Sequence, residues 1–309
     1  MAQSVLVVWA AWTLSFIVLF LLPGDPALNL VAGGDAGQIV DPDELARVRA
    51  QYGLDQPVIV QYGTRLLAAL TGDFGSSMVT GRPVADIIGE GLPGTLAVIG
   101  GALLIGCLLG TGVALLATYT RVGWLRGALL SLPPLGISLP TFWVGLMLIQ
   151  LLSFQLRALP PTGNAGIPSL IMPWLTLALP TAATVGQVLA KSLATVQAEP
   201  YVTTARAIGV RRAVIHLRDV LRNASIPAVT VAGVVVSSLL GGAIVIENVY
   251  SRAGIGRATV QAVLQRDIAV VQGIVVLGAV IFVLVSLVVD LAYPLIDARL
   301  RSTLNGGSR

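Results

Sequence analysis

The sequence predicts an all-α integral membrane protein with six transmembrane helices. Three observations carry this: a composition that water cannot cover, six long apolar runs, and basic residues sorted into alternate loops. Of the 309 residues, 55% are hydrophobic and only 11% charged, with a mean hydropathy of +0.87. Soluble domains carry roughly 25% charged residues to keep their surfaces wet, so lipid must cover much of this chain.

A membrane helix needs about 20 mostly apolar residues. Residues 4–22, 95–117, 128–152, 170–190, 228–246 and 271–293 meet that length, and none carries a charge in its interior. The first run resembles a signal peptide in position only. It lacks a basic leader and runs into Pro23-Gly24-Asp25-Pro26 instead of a small-residue cleavage site, so it reads as a retained span. The third and fourth runs hold Pro133, Pro134, Pro140, Pro173 and Pro180. Proline frees a backbone carbonyl, which predicts kinks where neighbours or cavity water satisfy it. Gly100, Gly101, Gly106, Gly110 and Gly112 in the second run predict close helix approach.

Six spans place both termini on one side and divide the loops into two sets. Residues 119–127, 191–227 and 294–309 hold 11 Lys and Arg in 62 positions. Residues 23–94, 153–169 and 247–270 hold 8 in 113. Basic excess in short loops marks the cytoplasmic side, so both termini are expected inside. The organisation is then a first span (1–22), an external helical segment (23–94), a core transmembrane domain (95–293) and a cytoplasmic tail (294–309).

The external segment holds nine acids against four Arg. Within it Asp41-Pro42-Asp43-Glu44 reads as an N-cap, a proline at N1 and acids in a first turn. That helix should stop near Gly53, and a second is expected over 58–70. Both read as caps on the outer face.

Residues 191–227 are the most informative stretch. Glu199-Pro200 predicts a helix start and Gly209 its end. Between them Tyr201, Ala205 and Ile208 recur on one face. A second, basic helix carries Arg211, Arg212, Arg218 and Arg222, with His216 expected in solvent and Pro227 opening the fifth span. A short helix hinged by Pro and Gly suits a partner's groove; a plain solvated positive loop is the other reading of the same residues.

The run from Glu199 to Gly209, followed by Leu221-Arg222-Asn223-Ala224-Ser225-Ile226-Pro227, resembles the EAA motif of ABC importer permeases. The spacing from Ala205 and Gly209 to Ile226-Pro227 is its specific part. Ile208 departs from the lysine usual in the peptide branch. Further stretches resemble the first (B-type) permease of dipeptide, oligopeptide and nickel importers: Leu22-Pro23-Gly24-Asp25-Pro26, Gly53-Leu54-Asp55-Gln56-Pro57, Gly72-Asp73-Phe74-Gly75, Gly81-Arg82-Pro83-Val84, Ser138-Leu139-Pro140-Thr141-Phe142, Gly254-Ile255-Gly256 and the run from Asp290 to Arg301.

The resemblance spans nearly the whole chain and implies the type I permease fold. Glu199, Tyr201, Ala205, Arg206, Ile208 and Gly209 would form a coupling helix on an ATPase subunit. It implies, as partners, a second homologous permease, two ATPase subunits, an external substrate-binding protein and the bilayer of the bacterial inner membrane. ATP and magnesium would sit on the ATPases, leaving no cofactor, metal or catalytic residue here. The cargo would be short peptides, with a nickel chelate or a glycoside as the alternative. Ser138, Pro140, Phe142, Ser237, Ser238 and Glu247 are expected along the passage.

The residues themselves agree with a chain that does no chemistry. Lys191-Ser192 lacks the glycine and strand context of a P-loop. One histidine (His216) and one thiol (Cys107) make neither a nucleophile–base pair nor a metal cluster. No ionisable group lies mid-span, which argues against an ion-coupled carrier, and no basic stripe interleaves with aromatics for nucleic acid. Glu247 and Asp290 sit at span ends. Glu247 either faces the external mouth or pairs with Arg252 or Arg257; Asp290 is expected near the cytoplasmic boundary with Arg299. Gln150 and Gln187 suit interhelical hydrogen bonds.

Overall fold

The structure is a computed structural model describing residues 2–21, 25–31 and 41–296. It is helical nearly throughout. Helix α1 covers Ala2–Leu21, α2 Pro26–Val31, α3 Pro42–Gln51 and α4 Val58–Leu70. Then follow α5 (Val84–Tyr119), α6 (Gly123–Ser138) and α7 (Thr141–Leu148), the last continuing into a π turn at Ile149–Gln155. Helix α8 is Pro168–Gln197, α9 Pro200–Ala207, and α10 Arg212–Val214 with a π turn at Ile215–Val220. The series ends with α11 (Leu221–Val249), α12 (Ile255–Leu264) and α13 (Ile268–Ile296).

Among the described residues, five helical stretches are long and apolar enough to cross a membrane, and a sixth span forms if the bent pair α6–α7 is taken as one. That pair corrects the expected third span. The prolines inside α6 and α8 leave both helices unbroken. The break comes instead at Leu139-Pro140, where both residues are extended and the helices meet at 100°. Pro140 disfavours a helical Leu139 by steric clash and has no N–H to give to the preceding turn. The span over 228–246 is longer than expected. Pro227 lies inside α11 instead of opening it, and helix or π turn is continuous from Arg212 to Val249.

Contacts divide the chain into two compact units: residues 1–95 with 253–283, and 96–252 with 284–309. In the first unit, Asp41 accepts from the Asp43 N–H at 3.0 Å and caps α3 as its sequence predicts. Gly53 ends that helix at φ +65°. Helix α4 meets α1 through Tyr62, which shares a hydroxyl hydrogen bond with Thr13 (2.8 Å) and stands edge-on to Phe16. The apolar core gathers Val84, Ile255, Ala262, Val270, Val271 and Ile274. Asp267, buried, caps α13 through the Val270 N–H and accepts from the Ser77 hydroxyl and the Met78 N–H, tying the 77–78 loop to that helix.

In the second unit α8 is the centre, packed by α6, α7 and α11. Its approach to α5 depends on absent side chains. A Cβ on Gly110 would lie 2.5 Å from the Ala182 carbonyl oxygen, and one on Gly106 2.5 Å from Thr181 Cγ2. Gly100 and Gly112 have open space instead, so only part of the predicted small-residue set makes the contact. Tyr250, fully buried, joins three helices: its hydroxyl bonds Thr176 Oγ1 at 2.9 Å and donates to the Gly145 carbonyl at 3.2 Å.

Candidate functional site

The segment between α8 and α11 is built on a small apolar core of its own. Ala114, Leu189, Leu193, Val202, Ile215, Val220 and Ala224 form it, with Ala205 and Val210 packed at its edge. Within α9 the chain places one residue, Val202, wholly inside. Glu199, extended at ψ 143°, starts the helix without a side-chain cap, and Pro200 takes the N1 position where a missing N–H costs nothing.

Gly209 ends α9 at φ +85°. The Gly209 N–H donates to the Arg206 carbonyl and the Val210 N–H to the Ala205 carbonyl, both at 3.1 Å. These two bonds are the Schellman pattern, which requires the left-handed conformation glycine adopts without strain. Asn223 Nδ2 donates to the Tyr201 hydroxyl at 2.9 Å and ties α9 to the start of α11. The rest of α9 is turned outward: Tyr201 and Arg206 are exposed and Ile208 is 75% exposed. Ala205 lies at the edge of the core, half-buried.

His216 corrects an expectation. It is 5% exposed, not solvated. The π turn carries its ring inward, where Gln197 Nε2 lies 2.9 Å from Nδ1 and Thr118 Oγ1 3.3 Å from Nε2. The Thr118 hydroxyl donates to the Ala114 carbonyl, so it accepts from the imidazole Nε2–H while Gln197 donates to Nδ1. Both ring nitrogens are satisfied by the neutral ring, which makes its burial inexpensive. Arg212 closes the group, donating to the Tyr119 carbonyl with its guanidinium 4.6 Å from the Tyr119 ring centre. Val202 and the Gln197–His216–Thr118 chain escaped the sequence reading. The one signal was the apolar flanking of His216 by Val214, Ile215 and Leu217.

The other candidates scatter through the second unit. Ser138, Pro140 and Phe142 lie exposed at the α6–α7 break, and the Ser138 hydroxyl donates back to the Pro134 carbonyl. On α11, Ser237 is half-buried and Ser238 exposed. Glu247 is 1% exposed. Its carbonyl accepts the Arg252 N–H at 2.8 Å, and the Arg252 guanidinium, also buried, donates to Ser169 O and Oγ and to Gly163 O. The Asp290 side chain and Arg299 lie outside the described residues. No group of His, Cys, Asp and Glu among the described residues could hold a metal ion.

The family model "binding-protein-dependent transport system inner membrane component" matches residues 102–302, and its N-terminal companion matches residues 1–99. A glutathione transport system permease protein, GsiC, of Salmonella choleraesuis (strain SC-B67) is 39% identical over 288 residues, covering 93% of this chain and 92% of that protein. A putative peptide transport system permease protein of Brucella abortus (strain 2308) is 34% identical over 97% of this chain and 96% of its own length. Among solved structures, an inward-facing MetNI methionine ABC transporter chain superposes with a TM-score of 0.59 at 18% identity, covering 68% of this chain and 96% of that one; at that identity the likeness concerns fold. With the apolar helices, the α8–α11 segment and both halves matched, this chain belongs to the binding-protein-dependent transport system inner membrane component family and is a multi-pass permease subunit of an ABC importer.

Proposed function

We propose that the chain is the first of two permease subunits of an importer for short peptides, and that α9 is the element on which a separate ATPase subunit acts. The observation that carries this is the mounting of α9. It is a short helix with a proline entry and a glycine exit, held by one buried residue, Val202, and one bond, Asn223 to Tyr201, with Arg206 and Ile208 presented outward. A rigid peg with an exposed face on a separate apolar base transmits a push to the helices it stands between, α8 and α11.

In this reading Glu199, Tyr201, Ala205, Arg206, Ile208 and Gly209 form the docking element. ATP and magnesium are held by the ATPases, and the chain itself needs no cofactor. A second permease completes the passage, to which the exposed residues at the α6–α7 break (Ser138, Pro140 and Phe142) and Ser237 and Ser238 of α11 contribute. Glu247, buried beside Arg252, serves the architecture. The basic bias of residues 119–127 and 191–227 supports placing α9 in the cytoplasm. Peptide cargo is supported by relatives named for glutathione and for peptide transport.

The test is ATP-driven uptake by the reconstituted complex. Ala205→Glu should abolish uptake while membrane insertion and subunit assembly persist. Unchanged uptake by that variant removes α9 from the mechanism. Screening peptides, metal chelates and glycosides for stimulation of the ATPase rate decides the cargo; stimulation by chelates or glycosides alone overturns the peptide assignment.

A further inference from the structure

A cavity of about 320 Å³ lies in the second unit among α5, α6 and α8, apart from the residues of the coupling element and the passage. Two cations line it, Arg126 of α6 and Lys191 of α8, and no carboxylate stands beside them. Both are exposed, and neither side chain makes an ion pair or a hydrogen bond among the described residues. Side chains of this kind lay their stems on apolar wall and keep the charged head at the water's edge. Arg126 is also badly placed within its own helix. Helix α6 opens with neither an acid nor a side-chain cap, and this arginine falls in its first turns, where the helix dipole opposes a cation. Two like charges at one cavity add their mutual repulsion. A bound anion relieves both costs.

Gln187 of α8, whose amide the sequence suggests for a bond between helices, is exposed at the same cavity and makes no hydrogen bond among the described residues. Thr118 supplies wall only, because its hydroxyl is already spent on Ala114 and His216. Val113 of α5 and Leu129, Leu130 and Pro133 of α6 are apolar wall. The flanks are apolar too: Leu116 of α5 and Trp124 and Leu132 of α6 are exposed. Such flanks on membrane helices suit hydrocarbon, and a tryptophan at a span end suits the level of the headgroups. We infer that this cavity binds an anionic phospholipid, its phosphate held between Arg126 and Lys191 with the Gln187 amide as a further donor, and its chains laid on the apolar flanks. Basic pockets between membrane helices on the cytoplasmic side take anionic headgroups in this way, and both cations belong to the loop set that the charge sorting puts on that side. The site rests on the same cytoplasmic placement as the transport reading, but not on the role of α9.

Native mass spectrometry of the intact complex tests this, after extraction in mild detergent from bilayers of phosphatidylcholine mixed with phosphatidylglycerol. The wild type should retain phosphatidylglycerol in preference to phosphatidylcholine. Arg126→Gln and Lys191→Gln should each lower that retention about fivefold, the increment one cation near an anionic membrane surface supplies. Arg47→Gln, an exposed cation of α3, should leave it unchanged. Ala194→Trp fills the cavity from an exposed position without altering either charge, and should expel the lipid. Full retention in either glutamine variant overturns the inference, because the cations would then be idle. Full retention in Ala194→Trp overturns it as well, since the cations would be surface charge with no pocket. It is equally overturned if the wild type shows no preference for phosphatidylglycerol, or if inorganic phosphate saturably stabilises the complex in place of the lipid, which would make the site one for a solute. Ala205→Glu should keep the lipid, so a failed lipid site and a failed coupling helix are told apart.

Discussion

Val202 shows what a single side chain decides in this molecule. It is the one α9 residue sunk wholly into the core beneath it, and full burial of a valine is worth about 2 kcal/mol. Val202→Ala should therefore loosen α9 from its base without unfolding α8 or α11. Hydrogen exchange should rise over residues 200–210 while the 221–249 helix keeps its protection; equal exchange in both segments contradicts the anchoring role. Tyr250 acts similarly for the core. Its hydroxyl bridges Thr176 and Gly145 across helices, and polar contacts between membrane helices are worth about 0.6 kcal/mol on average. Tyr250→Phe should lower the melting temperature modestly and leave uptake measurable. The sequence announced neither residue, because a valine among alanines and a tyrosine after a long helix have no pattern that marks them. Their roles come from residues elsewhere in the chain, such as Ala114 and Ala224 in the core that holds Val202, and Gly145 and Thr176 bonded to Tyr250.

Individual helices were more legible. Asp41-Pro42-Asp43-Glu44 capped α3 where expected, and Gly209 closed α9, because capping chemistry is local and a few adjacent residues hold all of it. Gly209 must be left-handed, a conformation that costs other residues roughly 1–2 kcal/mol. Nothing lies within 4 Å of where its Cβ would be, so Gly209→Val acts through the backbone alone. It should reduce ligand-stimulated ATPase and uptake together while assembly persists, and Gly209→Asn should do so less.

Helix α5 gives the opposite case. Gly110→Ala drives a methyl into the Ala182 carbonyl and the Gly186 backbone, and backbone cannot step aside. Its melting temperature should fall. Gly112→Ala has open space and should be neutral or slightly stabilising, since alanine is the better helix former by about 1 kcal/mol. Matching losses in both would mean that close approach to α8 is not the cause. The break at Leu139-Pro140 was half visible. Proline marked a disturbance, but five prolines in two spans offered five places for it, and local sequence does not rank them.

For the molecule as a whole, the sorted loop charges give a prediction about the membrane itself. In a Cys107→Ala background, a cysteine at Arg206 should react with an impermeant maleimide only after the cells are opened, and one at Asp55 should react in intact cells. Both positions are exposed. Labelling of Arg206→Cys from outside would reverse the orientation and remove α9 from reach of a cytoplasmic ATPase.

The sequence by itself determined the class: apolar runs of membrane length, their number, and the proline start and glycine stop of α9 are properties of neighbouring residues, and the same residues carry the family likeness. Only the tertiary structure decided which face of α9 is buried, that His216 turns inward to meet Gln197 and Thr118, where the third span breaks, and that Arg126 and Lys191 share one cavity. The physical reason is the uniformity of the chain. In a sequence this apolar every face of a span reads alike, so composition tells which segments leave water but not which side chains meet; that depends on contacts between residues as far as 190 positions apart, as for Ser77 and Asp267.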